Sequence, residues 1–309
     1  MTIFYYNNII LDFEAKMSNS YNYMNLPNDL SGSMSKNRFR NEILWGLKRI
    51  LELQEEGANY TAIFDFACDV EIHYENKCQY EFYQLKTENT LGKYPLSKLI
   101  KTDNGSSILG KLYILKYCEK GLEQKFVKVA VVSNSPFYDG EKLYPMIKEF
   151  DFLTLEKKQK EKVIKSLETE LNKNISLDNT FFIRTGLDLF NPKITLKGEI
   201  ADFYKRYYHS EPKKINVLFD SLESEVQDRA CYELKIKDYS ELKKYKGLSK
   251  SDVDVLLHEY IENTDTSFIV AKDKIKQLYS NNIQKKILLL ANLKNISTEL
   301  DRSLLHPTL

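Results

Sequence analysis

The sequence predicts an α/β protein in which a helix, three strands, a second helix and a further strand precede a mostly helical C-terminal region. Three observations carry that expectation. Apolar residues Phe39, Ile43, Leu47, Ile50, Leu51 and Leu53 recur at helical spacing. Three short β-like runs follow between residues 59 and 86. Beyond residue 135 the apolar pattern becomes chiefly helical and the segments more charged.

Taken in order, residues 18–35, "SNSYNYMNLPNDLSGSMS", are small and polar with Pro27 and Gly32, and predict a loop. "KNRFRNEILWGLKRILELQEEG" predicts a helix closed by Gly57, with the lone Trp45 in its core face. "NYTAIFDFA", "DVEIHY" and "QYEFYQLK" predict three strands, the last two joined by a hairpin turn at "ENK". "SSILGKLYILKYCEKG" reads as an apolar helix opened by Ser106 or Ser107 and closed by Gly121. "KFVKVAVVSNS" reads as a buried strand, and "NTFFIRTGLDLFNP" holds one more. Helical patterns follow in "DFLTLEKKQKEKVIKSLETELN", "TLKGEIADFYKRYY", "INVLFDSLESEVQDRACYEL", "LSKSDVDVLLHEYIENT" and "KDKIKQLYSNNIQKKILLLANLKNI". The domain expectation is therefore an N-terminal leader and loop over 1–35, a core over 36–150 and a mostly helical assembly or partner domain over 151–309.

Bulk properties narrow the function classes. The 309 residues suffice for a sizeable core. Lys plus Arg number 45 against 44 Asp plus Glu, which excludes nucleic-acid binding by bulk charge and leaves only local basic patches. The four cysteines, Cys68, Cys78, Cys118 and Cys231, form no CxxC pair, so neither a zinc knuckle nor a disulfide framework is expected. No apolar run is long enough to span a bilayer and "MTIFYYNNIILDF" lacks the features of a secretory signal; a cytoplasmic protein is expected. No GxxxxGK[ST] or GxGxxG occurs, so no nucleotide-phosphate loop is expected.

The chemistry-bearing residues lie on the second and third strands. Strand side chains alternate, so Asp69, Glu71 and His73 share one face of their strand, and Tyr80, Phe82, Gln84 and Lys86 share one face of the next. A hairpin places Asp69 near Gln84 and Lys86 at one end of the sheet. Asp69 and Gln84 supply hard oxygen ligands for Mg²⁺ (or Mn²⁺), and the Leu85 carbonyl a third. Lys86 would then stand beside the attacking water and the charge that develops on a phosphate. Taken alone, a QxK at a strand end is usually an exposed end and nothing more. Glu71 reads as a supporting group behind Asp69, and His73 as a satisfied strand histidine rather than a base.

This Asp-x(n)-Gln-x-Lys pattern, in that element order, resembles the PD-(D/E)xK nuclease superfamily, with the Gln typical of its Mrr-like branch. "RFRNEILWGLKRIL", "FDFACDVEIHY", "FYQLKTEN" and "SILGKLYILK" are similar to the dsDNA-endonuclease domain of CD-NTase-associated effector nucleases, whose relatives also serve HerA-type ATPases in antiphage defence. The resemblance covers roughly residues 30–260 and is strongest over 36–135. It implies a restriction-endonuclease-like core and a metal-dependent endonuclease that cuts double-stranded DNA. It implies catalytic Asp69, Gln84 and Lys86, with Glu42 of the first helix as a further acid turned toward the metal. It implies a homo-oligomer, or an ATPase or nucleotide-signalling partner, restraining the activity. Cys68 stands where the family has Pro, and Gln84 removes one negative charge from the site, which weakens its hold on a metal. Lys36, Arg38 and Arg40, heading the first helix, are candidate contacts to the DNA backbone, with a plain solvated helix face as the bland alternative. "HSEPKK" and "SELKKYKG" read as solvated charge runs. The competing functions are a catalytically inactive nuclease-fold scaffold, expected if Lys86 points into a packed core, and an RNase on the same fold.

Overall fold

A computed structural model describes residues 31–75, 79–88, 92–117, 126–187, 191–209, 211–233 and 235–262. The expectations placed on 1–30 and 263–309, including the last predicted helix, lie outside the described residues. Contacts divide the chain at residue 40. On the near side of that division, residues 31–39 are mostly exposed helical turns. The second unit, from Arg40 onward, carries both sheets.

The predicted order of helix, three strands, helix and strand is present. Helix α1 (Ser31–Glu55) begins inside the stretch expected to be a loop. It ends as predicted at Gly57, whose φ of 65° lets the Gly57 N–H bond to the Gln54 carbonyl (3.1 Å) and the Ala58 N–H reach back to Leu53 (3.1 Å). Strands β1 (Tyr60–Phe64), β2 (Val70–Tyr74) and β3 (Gln79–Leu85) form an antiparallel meander. The connection at 76–78 lies outside the described residues, but the Tyr74–Gln79 pair closes the predicted hairpin.

A short strand β4 (Tyr94–Pro95) leads to helices α2 (Leu96–Ile100) and α3 (Ile108–Tyr113). Ser107 caps α3 as expected, its hydroxyl accepting the Gly110 N–H at 2.8 Å. The helix stops sooner than predicted. A 3₁₀ turn over Ile114–Lys116 buries Lys116, which donates to the Asp178 carbonyl at 2.6 Å. The expected stop at Gly121 lies outside the described residues.

Strand β5 (Val127–Ser133) then runs parallel to β3, as a strand reached through helices must. The remainder comprises β6 (Phe137–Tyr138), β7 (Leu143–Tyr144), β8 (Glu149–Asp151), α4 (Lys157–Leu171), β9 (Thr180–Arg184), α5 (Pro192–Tyr208), α6 (Ile215–Ala230), α7 (Tyr239–Lys246), β10 (Gly247–Ser249) and α8 (Lys250–Glu262).

The main sheet has the order β10-β1-β2-β3-β5-β9-β8, and β4, β6 and β7 form a small second sheet. On one face, Phe82, Val127, Val129, Val131 and Phe182 pack against Leu96, Leu99, Leu109, Leu112, Val163 and Leu167 of α2, α3 and α4. Each such buried aliphatic or aromatic side chain contributes about 1.5–3 kcal/mol. On the other face, Trp45 of α1 meets Tyr83 with ring centroids 4.8 Å apart, and Gly46 lets α1 lie directly on Phe64, where a Cβ would come within 2.4 Å of the ring. Helix α6 also packs on β1. Three central strands thus end between two helical layers, and the polar residues at those ends form the candidate site.

Candidate active site at the ends of β2 and β3

Register brings the key pair together. Val70 pairs with Tyr83 across the β2–β3 hairpin, so one further step sets Asp69 opposite Gln84. Asp69 Oδ2 accepts both the Gln84 Nε2–H and the Leu85 backbone N–H, the latter at 2.5 Å. Among the described residues Oδ1 accepts no hydrogen bond. In a strand, a residue's N–H and C=O point to the same side. The Leu85 carbonyl therefore faces the Asp69 side, past the last β2 pairing.

Lys86 continues β3 for one more residue. Its N–H donates to the Val132 carbonyl and its own carbonyl accepts the Ser133 hydroxyl, both at 2.8 Å. Its side chain is half-exposed rather than packed into the core. Lys86 lies near enough for its charge to act on Asp69. Burial pushes the Asp69 carboxyl above its ordinary range; the Leu85 N–H, the Lys86 charge and the Gln84 amide draw it part of the way back, and Asp65 raises it again.

Residues 86–88 are held from β5 by groups the sequence did not advertise. The Asn134 carboxamide accepts the Glu88 N–H and donates to the Glu88 carbonyl, both at 2.8 Å, imitating a strand partner. Asn134 and Ser133 are buried. From α1, buried Asn41 donates to the Thr87 hydroxyl at 3.5 Å, and from α2, Lys98 pairs with Glu88. The signal available in the sequence was the polar triplet "SNS" closing an otherwise apolar strand.

The turn carrying Asp69 spans residues 65–69. Asp65 sits at φ 48°, and its N–H donates to the Asp69 carbonyl at 3.1 Å. Glu71 and His73 are buried on one face, as their alternation predicted. Glu71 accepts the Ala67 N–H at 2.7 Å and meets His73 Nε2 at 3.0 Å; His73 Nδ1 meets the Tyr239 hydroxyl at 2.9 Å. Glu71 thus braces the turn rather than bonding Asp69 itself, and His73 is a satisfied strand histidine. Cys68 is buried and burial holds its thiol well above the ordinary value, which leaves it protonated and without a nucleophile's role.

The remaining predicted site residues all lie on α1. Glu42 is half-buried on α1, the residue after Asn41. Arg40 is half-buried; Lys36 and Arg38 are exposed on the helical turns before residue 40. Lys246 corrects the expectation of a solvated run: it is 6% exposed, and its ammonium is bonded to backbone carbonyls rather than left to water. A groove of about 770 Å³ opens on the Tyr83 face of β3, opposite to Gln84, but its Lys48, Arg49 and Lys128 are paired with Glu199, Glu81 and Glu149.

The donors fit a hard divalent cation. They are one carboxylate with an oxygen unbonded among the described residues, one amide and one backbone carbonyl, a set that suffices when waters and a phosphate complete the shell. Among the described residues no group of three or more His, Cys, Asp or Glu could hold a metal, so these neutral oxygens carry the case. Cys68 and Cys231 are free, and no described helix is long and apolar enough to cross a membrane.

Comparison with known proteins places the chain in a family. The family model described as "Cap4, dsDNA endonuclease domain" matches residues 30–230. That span takes in α1, β1 to β9, and the whole of the candidate site. Among curated proteins no match is found.

Proposed function

This chain belongs to the Cap4 dsDNA endonuclease domain family, and on that premise we propose that it is a metal-dependent endonuclease that hydrolyses phosphodiesters of double-stranded DNA in antiphage defence. The observation that carries the reading is the meeting of Asp69, Gln84 and Leu85 at one strand end, with Lys86 next in the chain.

Asp69, Gln84 and the Leu85 carbonyl would hold Mg²⁺ or Mn²⁺, with Glu42 as a further acid from α1. Such an ion would neutralise phosphate charge and make water acidic enough to attack at neutral pH. The other tasks fall to the chain. Asp69 is kept in place by the Leu85 N–H and the Gln84 amide. Lys86 Nζ, projecting from the same face as Gln84, orients the attacking water and offsets charge on the phosphorane-like transition state. Val132, Ser133 and Asn134 fix the strand under Lys86, and Glu71 fixes the turn under Asp69. Lys36, Arg38 and Arg40 contact the DNA backbone.

The half-exposed Lys86 favours catalysis over an inactive scaffold, because its side chain is not packed into the core and its charge acts on Asp69. The region 151–309 is assigned to assembly, as a homo-oligomer or with an ATPase or nucleotide-signalling partner, though its β9 and β10 also belong to the sheet. The test is nicking or linearisation of supercoiled plasmid by the full chain in Mg²⁺ or Mn²⁺, with and without EDTA. Cleavage that EDTA abolishes supports the reading; cleavage indifferent to EDTA contradicts it.

A further inference from the structure

Lys246 is a buried ammonium whose bonds lead to the candidate site from outside it. Its Nζ donates to the carbonyls of Asp65 (2.9 Å), Ala230 (3.1 Å) and Phe64 (3.3 Å). These three oxygens belong to the end of β1, the first residue of the Asp69 turn and the last residue of α6. Burial lowers the Lys246 pKa, and Asp65, Cys231 and Glu71 restore part of the loss. A desolvated ammonium is costly unless all its donors are used, and here each finds a carbonyl.

The chain is built to bring it there. Lys246 ends α7, and Gly247 starts β10 with no room for a side chain: a Cβ would come within 2.4 Å of the Lys243 carbonyl and 2.8 Å of Thr61 Cγ2. That close approach seats β10 on β1, with Ala62 opposite Leu248 and Ile63 opposite Gly247, and carries Lys246 under the strand end. The five-residue turn 65–69 is longer than a tight hairpin connection and needs outside support. Glu71 grips its middle through Ala67, and Lys246 grips its base.

We propose that Lys246 is a positioning residue: by gathering the Phe64, Asp65 and Ala230 carbonyls it sets the turn that presents Asp69 to substrate and metal, and ties that turn to the end of α6. This rests on the reading of Asp69 as the acid of the nuclease site. A displacement of about 1 Å at such an acid costs on the order of 100-fold in rate.

The test uses the full chain carrying Lys246→Met, which keeps the stem and removes the donors. Arg229→Met is the comparison, since Arg229 joins α6 to α7 through the Lys244 carbonyl (2.6 Å) without touching the turn. Two readouts are taken well below the unfolding midpoint: amide hydrogen exchange over residues 65–71, and plasmid cleavage with its Mn²⁺ half-saturation. The proposal expects Lys246→Met alone to speed exchange of the turn by about tenfold or more, lower cleavage by roughly 10- to 100-fold and raise the Mn²⁺ half-saturation. Unchanged exchange in Lys246→Met overturns it. Equal losses in both variants also overturn it, because they mark a general structural role. Faster exchange with cleavage intact also overturns the positioning role, whereas no cleavage by the wild type, alone or with any ATPase encoded beside the gene, overturns the assignment of Asp69 to the reacting site and the positioning role with it.

Discussion

Asp69 and Gln84 face each other one step past the last β2–β3 pair, and the Gln84 amide nitrogen donates to the Asp69 carboxylate. A glutamate at position 84 could not make that bond. It would set a second carboxylate against one that burial already disfavours. Gln84 therefore sets a hydrogen-bond donor, rather than a second negative charge, beside Asp69.

That relationship predicts the behaviour of Gln84→Glu. In chelator the variant should lose about 1 kcal/mol of stability, because a lost hydrogen bond is replaced by like-charge repulsion. With Mn²⁺ the order should reverse: a second anionic ligand should tighten binding by about tenfold or more. Thermal unfolding in chelator and in millimolar Mn²⁺, together with calorimetric titration, reads both. A variant destabilised equally in the two conditions would separate Gln84 from metal binding.

Asn134 tests the strand under Lys86. Asn134→Ala leaves the Glu88 N–H and carbonyl without the partners each now has at 2.8 Å. The expected cost is about 1–3 kcal/mol in denaturant unfolding, with a fall in cleavage larger than the fraction unfolded explains. Asn134→Asp is the sharper variant, since it still accepts from the Glu88 N–H but cannot donate to its carbonyl, and it should fall between the wild type and the alanine form.

Asp139 gives the pH dependence of stability away from the site. Burial alone would raise its carboxyl, but the Lys142 and Glu141 N–H groups and the Tyr144 hydroxyl, with the Lys142 charge, hold it below the ordinary value of 3.8. A depressed acid stabilises the fold fully above its unfolded value and loses that contribution as pH falls through the folded one. Asp139→Ala should therefore cost about 1–3 kcal/mol at pH 7. The gap from wild type should narrow below pH 3.8. A gap independent of pH would assign the effect to packing.

Much of this arrangement was legible in the sequence, and the particulars explain why. The α1 pattern, the Gly57 stop, the β2–β3 hairpin and the Ser107 cap are local signals, each written in a few adjacent residues. Asp69 and Gln84 could be paired because strand alternation and one hairpin fix their register. Strand β10 could not be read: Gly247, Leu248 and Ser249 are too few to show a period, and their pairing with β1 spans most of the chain. The two-residue strands β4, β6 and β7 fail for the same reason. Asn134 looked like an ordinary turn residue after a strand. Lys246, in "KKYKG", looked solvated because only its remote partners, the Phe64 and Ala230 carbonyls, reveal that it is buried.

The central claim is that Lys86 does chemistry at this strand end, and one comparison tests it most directly. Wild type and Lys86→Ala are matched for fold and for Mn²⁺ affinity, then assayed side by side for plasmid cleavage in Mg²⁺ and in Mn²⁺, each alone and with any ATPase encoded beside the gene. Cleavage by the wild type, lost by at least about 100-fold in Lys86→Ala with metal affinity retained, is the predicted result. Equal cleavage by the two proteins, or none by either in any combination, would contradict it and leave the nuclease fold here as a scaffold.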